Sequence, residues 1–398
     1  MNKLTIDDLD LKNKRVLVRV DFNVPLDKKG SITDDTRIAA SLPTIKKILK
    51  SGGKAILMSH LGRPKGGKSP EFSLRPCAKR LGELLGKPIR FVEDCIGPEV
   101  ESAVAELQPG ECLLLDNLRF YSEEEKNDPA FAKKLAALGD VYVNDAFGSA
   151  HRAHASTEGV TKYFKKSAAG YLMQKELDYL DKALSNPPRP FVAILGGAKI
   201  SDKLLVIQNL LNKVDGLLIG GGMAFTFVKA RGGRIGASLV EEDKIDYCKG
   251  ILDQVKVKNL KMILPVDTVV SEDPHNPKPE VVAIDTINDG KKGLDIGPLT
   301  CTLFNSEIEK AKTIVWNGPL GMFEVKAFAA GTNAVAKQVA EATDKGAISI
   351  IGGGDTAAAV LQAGLEKKMS HVSTGGGASL EFLEGKTLPG VAALTDKR

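Results

Sequence analysis

The sequence predicts an α/β fold in which parallel β-sheets are flanked by helices. Short runs of β-branched and aliphatic residues recur along the chain, with longer amphipathic stretches between them. Such runs are typical of strands buried on both faces, and a helix between two of them makes a βαβ unit. The strands predicted in this way are residues 15–20, 55–58, 112–115, 141–143, 191–195, 217–219, 262–264, 314–316 and 348–351.

Length and composition indicate two globular domains. The chain has 398 residues, and at roughly 150 residues per domain this length suggests two or three units, of which two is the simpler number. The hydrophobic content of 43% and the charged content of 26% are those of globular proteins. A sizeable core can therefore form, and bulk disorder is not expected.

The charge balance and the cysteines argue against several classes of protein. A net charge of +5 from 55 basic and 50 acidic residues is too small to indicate nucleic-acid binding. The five cysteines include no close pair, so they predict neither a disulfide framework nor a zinc site and fit a reducing compartment. No segment approaches the ~20 apolar residues of a membrane helix. We therefore expect a soluble cytoplasmic protein that binds neither nucleic acid nor membrane.

A connecting helix is predicted near the middle of the chain, at residues 171–185. Apolar residues from Met173 to Leu184 mark one face of this helix and charged residues the other, and the proline-rich segment 186–190 ends it. Arginines that follow strands lie before this helix, and most glycine clusters lie after it. We interpret the helix as the connection between two lobes.

Six glycine clusters in the second half of the chain predict a polyphosphate site. The clusters contain Gly196, Gly220, Gly293, Gly318, Gly352 and Gly375. Glycine loses more backbone entropy on folding than other residues, so repeated clusters indicate a close approach or a positive φ. Glycine-rich turns at helix N-termini let backbone N–H groups reach phosphate oxygens. A tight turn is the alternative explanation for any single cluster.

Charged side chains accompany these glycines. Lys199 and Lys203 are four residues apart, so in a helix they lie on one face and can both neutralise phosphate. Asp355 ends one glycine run, where it is either a helix N-cap or a ligand of Mg²⁺, an ion that binds one or two carboxylates together with phosphate oxygens. Thr356 is a second candidate cap for the helix that follows.

Arginines near strand ends predict a site for a small phosphorylated acid in the first half of the chain. They are Arg37, Arg63, Arg119 and Arg152, with His60 and His151 nearby. In parallel sheets the ligand crevice lies beyond the carboxyl ends of the strands, and a guanidinium group binds phosphate or carboxylate through two hydrogen bonds. Ordinary surface arginines are the alternative. Asp21 and Asn23 add groups suited to a substrate hydroxyl.

A different nucleotide site is suggested by residues 62–69, which fit the G-x-x-x-x-G-K-[ST] pattern of a P-loop NTPase. Against it, Pro64 removes a backbone donor from the loop, and Pro70 disfavours the helical conformation that Ser69 would need. Three classes of protein thus remain open at this point. They are a kinase acting on an acid, a P-loop NTPase that uses Lys68, and a non-catalytic nucleotide-binding or scaffold protein.

Seven motifs of the chain resemble the phosphoglycerate kinase family. They are residues 15–25 (RVLVRVDFNVP), 59–66 (SHLGRPKG), 144–155 (NDAFGSAHRAHA), 196–203 (GGAKISDK), 316–319 (WNGP), 352–356 (GGGDT) and 370–379 (SHVSTGGGAS). They follow in the family's order and cover essentially the whole chain, so the resemblance is highly specific. Two departures are small: Asp116 stands where glutamate is common, and Lys291 and Lys292 precede Gly293 where bulkier residues are frequent.

The resemblance implies two Rossmann-like lobes, each a parallel sheet flanked by helices, in a monomer. It implies that residues 1–170 bind 3-phosphoglycerate, that 171–189 are a connecting helix and linker, that 190–379 bind the nucleotide, and that 380–398 return to the first domain. The implied reaction is the reversible, Mg²⁺-dependent transfer of a phosphoryl group from 1,3-bisphosphoglycerate to ADP. Its products are 3-phosphoglycerate and ATP, in glycolysis.

The resemblance also assigns site residues, position by position along the matching motifs. Those expected to bind the acid are Asp21, Phe22, Asn23, Arg37, His60, Leu61, Gly62, Arg63, Arg119 and Arg152. Those expected to bind ATP or ADP are Gly197, Ala198, Lys199, Lys203, Gly221, Gly222, Gly293, Asn317, Pro319, Glu324, Gly352, Gly353, Gly354, Asp355 and Thr356. Asp355 is the expected ligand of Mg²⁺.

Phosphoryl transfer requires in-line positioning and charge stabilisation more than covalent chemistry. The expected catalytic groups are Arg37, Lys199 and the backbone amides of Gly354, Gly376 and Gly377. They would form a cationic cage around the transferring oxygens. Because the groups come from both lobes, the reaction is expected to require closure about the helix at 171–185, which also excludes water.

Overall fold

Residues 2–64 and 67–397 are described by the structure, which is a computed structural model. The chain divides into two units. The first comprises the described residues up to Asp178 together with those from Thr387 onward, and the second is Tyr179–Lys386. Among the described residues, no helix combines the length and the apolar character that crossing a membrane requires.

The first unit is built on a six-stranded parallel sheet. Its strands are β1 (Arg15–Arg19), β2 (Lys54–Met58), β3 (Arg90–Val92), β4 (Cys112–Leu115), β5 (Val141–Asn144) and β6 (Ser167–Ala169). Their order across the sheet is β3-β4-β2-β1-β5-β6. The order reverses beside β1, which lies between β2 and β5, and a parallel sheet opens its ligand crevice at such a reversal.

Helices accompany this sheet, and all but the shortest of them bury apolar residues. They are α1 (Thr36–Lys50), α2 (Arg75–Leu85), α3 (Pro98–Glu106), α4 (Ser122–Glu125) and α5 (Pro129–Ala136). In α1 the residues Ile38, Ile45 and Ile48 recur at helical spacing, are fully buried, and join the core that includes Val16 and Val18 of β1. Burial of the strands on both faces explains why their sequences are continuous apolar runs.

The second unit contains a second six-stranded parallel sheet and two smaller sheets. Its strands are β7 (Phe191–Leu195), β8 (Gly216–Ile219), β9 (Arg234–Ile235), β10 (Lys261–Ile263), β11 (Asp267–Ser271), β12 (Glu280–Ala283), β13 (Thr286–Ile287), β14 (Lys292–Ile296), β15 (Thr313–Asn317), β16 (Ile348–Gly352) and β17 (His371–Val372). The large sheet has the order β10-β8-β7-β15-β16-β17. The predicted α/β class is therefore confirmed.

A three-stranded antiparallel sheet of order β12-β11-β14 was not predicted. The residues of β12 are mostly exposed, so this strand lacks the apolar run by which buried strands are recognised. Strand β9 pairs with β13 over only two residues, which is too short for any periodicity to show.

The remaining helices are α6 (Tyr171–Ser185), α7 (Leu204–Leu210), α8 (Met223–Ala230), α9 (Ile245–Val257), α10 (Pro298–Ile308), α11 (Ala330–Asp344), α12 (Gly354–Gln362), α13 (Gly376–Leu383) and α14 (Pro389–Ala392). The predicted helix at 171–185 is α6, and it supplies residues to both units. The segment that carries α14 belongs to the first unit, where Leu4 N–H donates to Thr395 O at 2.8 Å and Gly390 N–H donates to Ala150 O at 2.8 Å.

The start of α6 is held by a buried carboxylate of the first unit. Oδ1 of Asp145 accepts hydrogen bonds from Leu172 N at 2.9 Å and Met173 N at 3.2 Å, and Tyr171 N donates to Thr44 Oγ1 at 2.9 Å. Asp145 is fully buried, and burial raises the pKa of its carboxyl group to about 6. The carboxylate therefore satisfies the orphan N–H groups of the first helical turn from inside the core.

This raised pKa predicts a specific pH dependence of stability. Because the unfolded carboxyl group has a pKa of 3.8, the folded state binds more protons between that value and about 6, and stability falls as pH rises through this window. Asp145→Asn removes the titration. We expect the free energy of unfolding, measured by urea titration, to shift in favour of the variant relative to the parent. Between pH 4 and 6.5 this difference should change by up to roughly 3 kcal/mol.

Asp140→Asn is the matched control for this measurement. Burial raises the pKa of Asp140, but hydrogen bonds from Arg15 outweigh this effect, so its pKa lies below 3.8. The difference between this variant and the parent should therefore stay flat from pH 4 to 6.5. An equally flat difference for Asp145→Asn would contradict the prediction.

Candidate active site

In the first unit, most residues predicted to bind the acid follow the carboxyl ends of β1, β2 and β4. Asp21 to Asn23 follow β1, His60 to Arg63 follow β2, and Arg119 lies in a short 3-10 helix after β4. Arg152 lies after β5, and Arg37 is in the first turn of α1. The parallel topology therefore brings these separate segments to one edge of the sheet, which is where such folds bind ligands.

Arg37 is held in place by the loop after β1. Its Nη1 donates to both carboxylate oxygens of Asp21 at 3.2 Å and to the backbone O of Asn23 at 3.1 Å. The side-chain Oδ1 of Asn23 accepts from Gly62 N at 2.8 Å, which ties this loop to the loop after β2. Asp21 and Asn23 thus orient Arg37 and Gly62 within the same site.

Arg119 is a buried cation whose hydrogen bonds are incomplete. Its Nη1 donates to Gly62 O at 2.8 Å, while its buried Nε makes no hydrogen bond within the described part of the chain. The carboxylate of Glu125 lies 3.4 Å from Nε, but that side chain is largely exposed. Burial lowers the pKa of Arg119, because a charge removed from water is less stable.

Two histidines at this site are kept neutral. Burial, followed by the charges of Arg19 and Arg119, lowers the pKa of His60 well below 6.5, and the same causes lower the pKa of His154 to about 3. The charge of Arg37 also contributes at His60, and that of Arg152 at His154. The site therefore carries a strongly positive potential at neutral pH.

Sequence reasoning missed part of this network. Arg19 is fully buried and bonded to His60, and Glu124 and Ser156 are fully buried beside Arg19. An arginine at the end of a buried apolar strand was the available signal for Arg19, because such a position normally holds an apolar residue. His154 lies inside the 144–155 motif but was assigned no role.

Two of the predicted acid-binding residues have no free group for a ligand in this arrangement. Phe22 and Leu61 are buried. The N–H of Phe22 donates to Ser59 Oγ at 2.8 Å, and the N–H of Leu61 donates to Asn117 Oδ1 at 3.2 Å. Their side chains fill the core beneath the site. Arg63, in contrast, is exposed, and Arg152 is half-buried.

The segment 62–69 does not have the structure of a P-loop where it is described; Lys65 and Gly66 lie outside the described residues. Nζ of Lys68 forms an ion pair with Asp94 Oδ2 at 2.7 Å. Ser69 has extended backbone angles, φ −138° and ψ 126°, and a three-residue 3-10 helix follows it. A phosphate loop requires its lysine to be free and a helix to begin at the serine.

In the second unit, a cavity of about 250 Å³ lies beyond the strand ends. Eight predicted nucleotide-binding residues line it. They are Gly197, Ala198, Gly221, Gly222, Gly293, Pro319, Glu324 and Asp355. Apolar side chains of Phe225, Leu239 and Met322 complete the walls. Sequence reasoning missed these three, because an apolar wall of a pocket has the same sequence pattern as a core.

The glycine clusters of this unit pack against one another, backbone to backbone. A Cβ atom at Gly196 would collide with the carbonyls of Gly318 and Pro319, and one at Gly221 would lie 2.7 Å from the N atom of Gly197. Gly197, Gly221 and Gly318 also have positive φ angles of 107°, 67° and 100°. Close approach of three loops therefore requires these glycines whether or not phosphate binds.

Lys203 and Thr356 bond to neighbouring residues at the end of β15, Asn317 and Gly318. Nζ of Lys203 donates to the neutral amide oxygen of Asn317, and burial lowers the pKa of this lysine. The sequence suggested that Lys199 and Lys203 share a helical face. They do not, because α7 begins only at Leu204. Thr356 is not a helix cap: α12 begins at Gly354, and the Thr356 hydroxyl accepts from Gly318 N at 2.7 Å.

Two helix N-termini meet near the glycine run at 352–354. Helix α12 begins at Gly354 and α13 at Gly376, and a Cβ atom on Gly376 would lie 3.1 Å from Gly354 N. The first N–H groups of a helix have no partner inside it, and together with the helix dipole they attract anions. Gly353, with φ 89°, provides the turn from β16 into α12.

Asp355 and Asp295, two of the three carboxylates that line the cavity, differ in environment. Asp355 is exposed, lines the cavity, and takes part in none of the hydrogen bonds or ion pairs of the described residues. Asp295 is buried, which raises the pKa of its carboxyl group to about 7, and its Oδ2 accepts from Gly331 N at 2.7 Å. Asp295 therefore serves the start of α11, whereas Asp355 remains available to a ligand.

Comparison with known proteins is consistent across sequence and structure. The family model described as "Phosphoglycerate kinase" matches residues 6–386. A "Phosphoglycerate kinase" of Chloroherpeton thalassium is 59% identical over 397 residues, covering 100% of both chains. A "Phosphoglycerate kinase, chloroplastic" of Volvox carteri is 60% identical over 400 residues, which are 99% of this chain and 87% of the relative.

Two solved structures are also similar to this chain. The phosphoglycerate kinase of Coxiella burnetii superposes with a TM-score of 0.89 at 43% identity, over 98% of each chain. That of Pyrococcus horikoshii gives a TM-score of 0.85 at 33% identity, also over 98% of each chain.

The backbone packing of the glycine loops predicts opposite effects of two Gly→Ala substitutions. Gly318→Ala places a methyl group against Gly196 O at a positive φ, so we expect the midpoint of urea unfolding to fall and nucleotide affinity to weaken. Gly250→Ala is the control, because Gly250 lies inside α9 with open space around it. This substitution should raise stability by roughly 0.5–1 kcal/mol. Equal stability of the two variants would contradict the prediction.

Proposed function

The chain belongs to the phosphoglycerate kinase family, and on that basis we propose that its first unit binds 3-phosphoglycerate and its second unit binds ATP or ADP. The enzyme is a phosphotransferase that transfers a phosphoryl group between 1,3-bisphosphoglycerate and ADP in glycolysis. The P-loop NTPase alternative has no support, because Lys68 is paired with Asp94 and Ser69 is extended.

The main support for the proposed acid site is an excess of guanidinium groups around two neutral histidines. Arg19, Arg37, Arg119 and Arg152 all act on these histidines, while the carboxylates of the site, Asp21 and Glu124, are already bonded to Arg37 and Ser156. A buried charge without a partner is costly, so this site is more stable with an anion bound. A phosphorylated carboxylic acid carries the charge and the acceptor atoms that match it.

The nucleotide site is supported by the cavity in the second unit. Its apolar walls fit a flat base, and the exposed carboxylate of Glu324 at its rim can accept hydrogen bonds from ribose hydroxyls. The partly buried ammonium group of Lys203 has a neutral amide as its hydrogen-bond partner. Because this partner is uncharged, it does not neutralise the lysine, which can bind the phosphates.

Asp355 fits the role of a Mg²⁺ ligand. Its carboxylate lines the cavity, is exposed, and is not engaged by the described residues. One such carboxylate with phosphate oxygens and water is the usual environment of protein-bound Mg²⁺. When bound with the nucleotide, the ion neutralises charge on the phosphate oxygens.

For the transfer step, we assign charge stabilisation to Arg37, Lys199 and the free amides of Gly354, Gly376 and Gly377. Arg37 is already oriented by Asp21, and the three amides belong to the first turns of α12 and α13. Such groups need little reorganisation when charge develops on the transferring oxygens. Arg37 belongs to the first unit and the others to the second, so this mechanism requires the two units to approach in the reacting complex.

We further propose that the enzyme works as a monomer in the cytoplasm and binds neither nucleic acid nor membrane. Its five cysteines are free thiols, four of them buried, which fits a reducing compartment. The Volvox carteri relative is named as chloroplastic, so the location is best tested by cell fractionation.

Activity measurements on three variants test the proposed site. Initial rates of ATP formation from 1,3-bisphosphoglycerate and ADP should fall roughly 100-fold or more for Arg37→Ala and Lys199→Ala, because each removes a charge that stabilises the transition state. Lys68→Ala should retain the parent's rate within about twofold, since Lys68 bonds Asp94 outside the site. Omission of Mg²⁺ should abolish turnover of the parent. Full activity of Arg37→Ala and Lys199→Ala would refute the assigned roles.

Small-angle scattering tests the approach of the units. The radius of gyration should decrease when 3-phosphoglycerate and Mg-ATP are present together, because the reaction requires water to be excluded from the acyl phosphate that forms. Each substrate alone is the control and should give a smaller change. An unchanged radius with both substrates bound would argue against the mechanism.

A further inference from the structure

A buried chain of hydrogen bonds connects Glu124 to His60 through Ser156 and Arg19. The four residues are distant in sequence and come from α4, the loop after β2, the loop at 154–157 and the end of β1. All four are buried, and Glu124, Ser156 and Arg19 almost completely. They meet beneath the carboxyl edge of the sheet, where the acid site is proposed.

The chemistry of the groups fixes the direction of every hydrogen bond between these four residues. The carboxylate of Glu124 can only accept, so the Ser156 hydroxyl donates to its Oε1 at 2.5 Å, and Ser156 N donates to its Oε2 at 3.0 Å. The Ser156 hydroxyl has then given up its one proton. It accepts from Arg19 Nε at 2.9 Å.

Arg19 also determines the direction of its hydrogen bond with His60. Nη2 of Arg19 lies 2.9 Å from Nδ1 of His60. A guanidinium group has donors only and stays protonated, so Nδ1 must be the acceptor. An imidazolium ring carries a proton on both nitrogens and cannot make this bond. His60 is therefore neutral, and its proton is on Nε2.

We propose that Arg19 is a positioning residue, which locks His60 in the neutral tautomer with its proton on Nε2 so that this N–H can donate to an oxygen of the acid. Within the described chain no residue accepts a hydrogen bond from Nε2. The donor is thus reserved for a ligand. Its use by the substrate rests on the proposed acid site, whereas the tautomer itself follows from the hydrogen bonds of the free protein.

Several contacts hold Arg19 so that it can play this part. Its Nη1 donates to the backbone O of Val20, and its Nη2 is also 3.4 Å from Ser149 Oγ. The hydroxyl of Tyr142 donates to the backbone O of Ser156 at 2.8 Å and fixes the loop that carries the serine. Burial raises the pKa of Glu124, while the charge of Arg19 and the hydrogen bonds from Ser156 act in the opposite direction and favour its carboxylate form.

The tautomer can be measured directly by NMR on the free protein. With ¹⁵N-labelled histidine, long-range ¹H–¹⁵N spectra distinguish protonated from unprotonated ring nitrogens, and His60→Gln identifies the His60 signals among the five histidines. In the parent, Nε2 of His60 should be protonated and Nδ1 unprotonated. A proton on Nδ1, or a ring protonated on both nitrogens at pH 7, would overturn the proposal without any variant.

Arg19→Met tests the cause of the tautomer. This variant removes the donor but keeps an unbranched side chain, so His60 should change to a mixture of tautomers or to Nδ1–H. Arg15→Met, at the other end of β1 in a half-exposed ion pair with Asp140, is the matched control and should leave the His60 signals unchanged. A folded Arg19→Met protein with the parent's His60 pattern would refute the role of Arg19.

Kinetics separate this role from a general structural one. Arg19→Met should raise KM for 3-phosphoglycerate about tenfold, the loss expected for one hydrogen bond to a charged group, while KM for ATP stays within about twofold. Equal increases in both KM values would indicate structural damage and contradict the proposal. If His60→Gln leaves KM for 3-phosphoglycerate unchanged, the proposed acid site fails at His60, but the NMR result for Arg19 still stands.

Discussion

Positive charge concentrated at the edge of a parallel sheet is the constraint on which the first unit depends. The sheet edge brings Arg19, Arg37 and Arg119 together with two neutral histidines, and burial lowers the pKa of Arg119. Carboxylates of the protein stabilise two of these arginines from within the fold. Asp21 bonds Nη1 of Arg37 and leaves the rest of that guanidinium group for an anionic ligand, whereas Glu124 supports Arg19 through Ser156, and Arg19 acts on the site through His60.

Sequence was sufficient to predict the α/β class and which residue types lie at the strand ends. A continuous apolar run identifies a buried parallel strand, and the residue that follows such a strand is placed at the ligand edge by topology alone. The same reasoning could not separate Arg63, which is exposed, from Arg119, which is buried, because burial depends on neighbouring segments. It also could not identify the tautomer of His60, which is determined by an arginine 41 residues away in sequence.

The glycine clusters show a different limit of sequence reasoning. Their pattern indicates phosphate-binding turns, but Gly196, Gly221 and Gly318 are required first because three loop backbones touch. The antiparallel strand β12 was missed because its residues are mostly exposed. The segment 62–69 matched a phosphate-binding pattern, yet Lys68 is used in an ion pair with Asp94. A motif therefore constrains residue types, whereas the backbone conformation and the partners of each side chain decide its chemistry.

The two units present positive charge by different physical means, and this difference suits the reaction. In the first unit the charge belongs to guanidinium groups held by buried carboxylates and hydroxyls, and a guanidinium group suits the two-bond binding of the proposed acid. In the second unit the first amides of α12 and α13 supply fixed partial charges, and glycine leaves them accessible. Because these dipoles are already oriented, they can stabilise the charge that develops in a loose phosphoryl-transfer transition state without reorienting. The two halves of the sequence thus provide positive charge in different ways, through arginine side chains in the first half and through glycine-rich helix N-termini in the second.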